Sequence, residues 1–161
     1  MAKALITYAS MSGNTEDIAF IIKDTLQEYE LDIDCVEIDD ADASCLTSYD
    51  YVLIGTYTWG DGDLPYEAED FFEEVKQLQL NGLKTACFGS GDYSYPKFCE
   101  AVNLFNAMLQ EAGAAVYQET LKIELAPETD EEDEDVESCR AFARGFLAWA
   151  DYMNKEKSHV S

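Results

Sequence analysis

The sequence predicts an α/β protein, a doubly wound five-stranded parallel sheet with helices on both faces. Three observations predict it. Apolar runs of strand length alternate along the chain with stretches whose apolar residues recur at helical spacing, and such alternation builds right-handed crossovers. Two of the runs, Tyr51-Val52-Leu53-Ile54-Gly55 and Thr85-Ala86-Cys87-Phe88-Gly89, are continuously apolar, as in strands covered on both faces. Polar, glycine-bearing loops follow the first, third and fourth strands, at the sheet edge where ligands of this architecture bind.

The elements follow in order. Residues 3–9 read as the first strand. Ile18, Ile22, Leu26 and Tyr29 share one face of a helix over about 13–29. Leu31-Asp32-Ile33-Asp34-Cys35-Val36-Glu37-Ile38 alternates cleanly and predicts the more exposed strand. Residues 39–49 are polar and predict at most a short helix. Pro65 suits the first turn of a helix that runs to about Leu78, and Asn81-Gly82 ends that unit. Phe98, Val102, Phe105 and Leu109 form the apolar face of the next helix, which Gly113 stops. A fifth strand lies within 114–125. Thr129 and Glu132, in the acidic run 128–137, have the spacing of a capping box. Phe142, Phe146, Trp149 and Met153 mark the last helix. One domain over 1–154 and a frayed tail over 155–161 are expected.

Ten Lys and Arg stand against 34 Asp and Glu, a net charge of −24. Nucleic acid and anionic lipid both need a basic footprint, so neither is an expected partner. A basic protein surface suits this charge, and the alternative reading is that the acidity serves solubility alone. Five cysteines without a C-x-x-C pair indicate neither a disulfide framework nor a zinc site. No apolar run approaches the roughly 18 residues of a membrane span. A reduced cytoplasmic monomer is expected, with no metal.

The loop Ser10-Met11-Ser12-Gly13-Asn14-Thr15 joins a strand to a helix start. Unpaired N–H groups, hydroxyl donors and the positive end of the helix dipole make it an anion site, best suited to phosphate. It holds no Lys, Arg or Cys. A nucleoside-triphosphatase loop or a phosphatase would need them, so the phosphate is gripped and left intact. The second loop, 56–63, carries Trp59, and the third, 90–97, carries Tyr95. Two loop aromatics beside small polar residues make a slot for a flat ring. A phosphate joined to a planar ring with polar edges describes flavin mononucleotide, FMN.

The motifs Ser-x-Ser-Gly-Asn-Thr, Thr-Trp-Gly-Asp and Gly-Ser-Gly-Asp-Tyr-Ser-Tyr, in this order after strands 1, 3 and 4, resemble the three FMN loops of flavodoxins. Only about a dozen residues separate Gly113 from Pro127. The chain therefore resembles the short-chain form, which lacks an insertion in the fifth strand. The resemblance implies a flavodoxin-like strand order, 2-1-3-4-5. It places Ser10, Met11, Ser12, Gly13, Asn14 and Thr15 at the phosphate. Thr56, Tyr57, Thr58, Trp59 and Gly60 would line one side of the flavin, with Tyr57 standing where flavodoxins often have Ser or Thr. Ser90, Gly91, Asp92, Tyr95, Phe98 and Cys99 would line the other, with Tyr95 stacked on the ring and Tyr93 a neighbouring alternative.

The resemblance further implies a low-potential one-electron carrier rather than an enzyme, with redox chemistry residing in non-covalently bound FMN. The Gly60 peptide would turn so that its carbonyl accepts a hydrogen bond from the N5–H that appears once one electron is added. Nearby carboxylates would oppose a second electron. Its partners would be basic faces of redox proteins, such as a ferredoxin or flavodoxin-NADP reductase and haem or other acceptors. The alternative is an FMN-dependent quinone or metal reductase of similar fold. A response-regulator receiver shares the architecture, but Ser10 and Ser12 occupy the place of its acidic cluster.

Overall fold

A computed structural model describes residues 1–127 and 133–159. Strands and helices alternate: β1 (Ala2–Tyr8), α1 (Asn14–Leu26), β2 (Leu31–Glu37), β3 (Tyr51–Tyr57), α2 (Tyr66–Lys76), β4 (Lys84–Gly91), α3 (Glu100–Glu111), β5 (Ala115–Val116), β6 (Leu121–Glu124) and α4 (Glu134–His159). Two short 3₁₀ turns, Ile38–Asp40 and Ala43–Ser48, fill the polar stretch between β2 and β3. The sheet order is β2-β1-β3-β4-β5 and every strand pair is parallel, as the sequence predicts.

Burial follows position in the sheet. The inner strands β3 and β4 are buried along nearly their whole length, whereas β2 at the edge alternates. Two cores result, one on each face. Ile6, Leu53, Phe88, Ile18, Ile22 and Phe146 pack beneath α1 and α4. Val52, Ile54, Cys87, Phe71, Phe105 and Leu109 pack beneath α2 and α3. Burying an apolar side chain of this size contributes about 1.5–3 kcal/mol, so both helical layers are held mainly by this contact.

The structure differs from the sequence reading in four places. The fifth strand is split: Ala115 and Val116 pair the start of β4, while Leu121–Glu124 pair its end, Phe88 to Gly91. Four residues, 117–120, lie between the two pieces. Second, α3 starts at Glu100, two residues after Phe98, because Cys99 sits at φ +55 outside the helical region. Third, α4 is capped by Asp133, whose Oδ1 accepts the N–H of Asp135 at 2.7 Å and of Val136 at 3.4 Å. The expected Thr129–Glu132 box lies outside the described residues. Fourth, the expected tail from Lys155 continues α4 through His159. That stretch has no Gly or Pro to end a helix.

Candidate cofactor site

The loops after β1, β3 and β4 meet around one cavity of about 430 Å³, a volume suited to a cofactor. Parallel strands place all three loops at the same sheet edge.

In the first loop the Ser10 Oγ accepts the N–H of Gly13 at 3.1 Å and of Glu16 at 3.3 Å. A hydroxyl has one proton to give, so the Ser10 O–H remains a donor for a ligand. The first N–H groups of α1 have no partner within the helix. Glu16 is not among the cavity-lining residues, and its carboxylate accepts the Tyr8 hydroxyl at 2.8 Å. Burial, followed by that carboxylate, pushes the Tyr8 phenol far upward. Thr15 Oγ1 and Ser90 Oγ share a buried hydrogen bond of 2.7 Å, which ties the first loop to the third.

The second loop closes on itself. Trp59 N–H donates to the Asp63 carbonyl at 2.9 Å, and Asp63 N–H donates back to Trp59 at 2.8 Å. Gly60, between them, stands at φ +54, a conformation that an L side chain rarely adopts. Thr58 Oγ1 accepts the N–H of Ala101 at 3.0 Å, fixing the loop to α3. Tyr57 donates its hydroxyl to Glu67 at 2.8 Å, and burial plus this carboxylate push its phenol upward.

In the third loop Asp92 Oδ1 accepts the N–H of Ser94 at 2.9 Å and its hydroxyl at 2.6 Å. These two donors hold the Asp92 carboxyl below its ordinary range. The Tyr93 ring packs on Phe98, with centroids 4.1 Å apart and planes tilted by 35°. Tyr93 is thus engaged, while Tyr95 lines the cavity with 59% of its surface exposed. Trp59, 54% exposed, lines it too. Cys99 is fully buried, and burial pushes its thiol up to about 11, so it stays protonated at neutral pH.

The cavity gathers nearly all the residues that the sequence singles out: Ser10, Met11, Ser12, Asn14 and Thr15; Tyr57, Thr58, Trp59 and Gly60; Ser90, Gly91, Asp92, Tyr95, Phe98 and Cys99. Gly13 and Thr56 do not line it. Gly13 caps α1 at φ +90. Thr56 is buried and gives its hydroxyl to the Tyr57 carbonyl at 2.8 Å. Two further residues line the cavity, Lys97 and Leu125. The sequence marks Lys97 only as the one cation near the third loop. It carries no signal for Leu125, which follows β6 at φ +57.

The flavodoxin family model matches residues 6–138 of the chain. The chain belongs to the flavodoxin family. A flavodoxin relative from Bacillus subtilis (strain 168), named probable flavodoxin 1, is 95% identical over 161 residues, which cover 100% of both chains. The crystal structure of oxidised flavodoxin 1 from Bacillus cereus shares 45% identity at a TM-score of 0.86, over 91% of this chain and 98% of that one. A short-chain flavodoxin associated with a bacterial microcompartment shares 32% identity at a TM-score of 0.86, over 93% of this chain and 99% of that one. This flavodoxin is of the short-chain form, with four residues between the two pieces of its fifth strand.

Flavodoxins bind FMN and carry electrons. The cavity fits that cofactor. Its first loop offers hydroxyls, a helix N-terminus and the free Ser10 proton to a phosphate, and its other two loops offer exposed aromatic surface to a flat ring. Among the described residues, no helix of this flavodoxin is long and apolar enough to cross a membrane.

Proposed function

We propose that the chain is a low-potential one-electron carrier that holds FMN non-covalently in this cavity. It would shuttle between a reductase and acceptor redox proteins in the cytoplasm, as a monomer. The observation that carries this reading is the convergence of a cation-free phosphate loop with Trp59 and Tyr95 on one cavity.

FMN, when bound, supplies the one-electron chemistry, and the protein sets how readily each electron enters. Ser10, Ser12, Asn14 and Thr15 hold the phosphate through hydroxyls and helix N–H groups. Trp59 and Tyr95 flank the ring and exclude water, which strengthens every charge interaction inside the site. The carbonyl of Gly60 is the group we assign to hold a proton at flavin N5. Asp92 on the cavity wall, with Asp61 and Asp63 farther out in the second loop, would add negative charge near the ring and make the second electron enter at low potential.

The net charge of −24 suits the basic faces of partner proteins. Such docking is steered at long range and weakens with salt, since the screening length is about 8 Å at physiological strength.

A reductive titration of the flavin-loaded protein, followed by absorbance, tests the reading. Two separated one-electron steps, the second well below the first, are expected. Failure of the apoprotein to bind FMN overturns it. So does steady turnover of a quinone with NAD(P)H alone, which marks a reductase instead.

A further inference from the structure

Lys97 stands apart from the other residues of the cavity. It and Asp92 are the only charged residues among the described lining. The Asp92 carboxylate is held in its own turn by Ser94. The Lys97 ammonium makes no ion pair or hydrogen bond among the described residues. It is the one ammonium among the described lining residues of the cavity.

The stem of Lys97 is fixed where its head is free. A Cβ built on Gly62 would lie 2.6 Å from Lys97 Cδ and 3.2 Å from Lys97 Cβ. The aliphatic chain therefore lies against the bare backbone of Gly62, in space that a side chain there would claim. Gly62 belongs to the loop that Trp59 and Asp63 close by their two hydrogen bonds. Lys97 in this way packs the third loop against the second beside the cavity, and the contact constrains the direction in which its long side chain leaves the backbone.

We propose that Lys97 is the countercharge of the cofactor cavity, held in place by Gly62, and that it sets the potential at which the second electron enters. The proposal rests on the FMN reading above. That electron comes from a reduced partner, which loses one electron as the bound flavin gains one. The added negative charge meets one ammonium in a field otherwise built from carboxylates. Lys97 thereby offsets part of their repulsion. It is a positioning and tuning residue; the chemistry remains with the cofactor.

The test separates charge from shape. Lys97→Met keeps a long aliphatic stem and removes the charge; Lys97→Arg keeps both. The readouts are the midpoint potential of the second electron and the FMN dissociation constant of the apoprotein, from flavin fluorescence. Lys97→Met should disfavour the fully reduced state by on the order of threefold, as one charge acting across a partly solvated cavity would. For a one-electron couple that lowers the potential by about 28 mV. Lys97→Arg should restore it, and the difference should shrink in high salt. An unchanged potential in Lys97→Met at low salt overturns the proposal. So does an equal loss of affinity in every redox state, the result of a merely structural role. In both cases FMN still binds, which distinguishes them from failure of the flavin reading itself.

Discussion

Thr15 of α1 and Ser90 of β4 meet through their hydroxyl oxygens at 2.7 Å, 75 residues apart in sequence and buried from solvent. This bond joins the first cavity loop to the third, the two we assign to the phosphate and to one side of the ring. Replacing either partner by an apolar residue leaves the other hydroxyl buried and unpaired, at a cost of about 1–3 kcal/mol. Thr15→Val and Ser90→Ala should each lower the urea midpoint of the apoprotein and weaken FMN binding. The double variant should lose less than the sum of the two. Strict additivity would show that the bond does not couple the loops.

Gly60 stands at φ +54, and the nearest atom to a Cβ there is Asp63 Oδ2 at 3.7 Å. Space is open, so the backbone angle is the constraint. Gly60→Ala should cost about 1 kcal/mol of stability from the left-handed conformation. It should also narrow the gap between the two one-electron potentials, because the Gly60 peptide turns less freely toward N5. Potentiometry reads this directly, and an unaltered gap removes Gly60 from the account.

Leu125 carries the opposite strain. It is a branched residue at φ +57 on the cavity wall, held by donating its N–H to the Gly91 carbonyl at 2.7 Å. Leu125→Gly should leave the apoprotein as stable or more stable, by up to about 1 kcal/mol, since relief of strain competes with glycine's greater chain entropy. FMN affinity should fall severalfold, because apolar wall is lost. Thermal melting and fluorescence titration are to be read together, and full affinity in the variant would mean that the strain serves nothing at the site.

The buried thiols set an alkaline limit. Cys99 is raised from about 9 to about 11 and Cys139 to about 12, both chiefly by burial, and Cys87 is raised further. Groups raised in the folded state stabilise it fully below their unfolded value and lose that contribution as pH rises through the folded one. The urea midpoint of reduced apoprotein should therefore fall steadily above about pH 9. Cys99→Ala should flatten part of that slope between about 9 and 11. A midpoint that holds level over this range would contradict the burial of these thiols.

Sequence carried the alternation, the three loops and most of the cavity wall, because each rests on local chemistry: apolar periodicity, hydroxyls beside a helix start, aromatics in loops. What it missed depends on tertiary contact. The helical stripe from Phe98 is real as a pattern, yet Phe98 is taken up by the Tyr93 ring and Cys99 leaves the helical region, so α3 begins later. Leu125 reaches the cavity only because β6 pairs the end of β4. Tyr93 and Tyr95 are indistinguishable as letters; the Phe98 contact separates them. The latch of Lys97 on Gly62 joins two loops that no spacing rule connects.

The split of the fifth strand has a consequence for how this scaffold tolerates change. On the side away from β3, β5 braces the beginning of β4, deep in the sheet, while β6 braces its end, where Gly91 and Leu125 belong to the cavity wall. Each piece is fastened to β4 by its own pairing, and Tyr117 is bonded to Thr85 and packed on α4, so residues 118–120 form the splice. Because each piece keeps its own register on β4, extra length inserted between Gln118 and Thr120 should leave the cofactor loops in place, which makes this break a port for grafting a recognition segment beside the site.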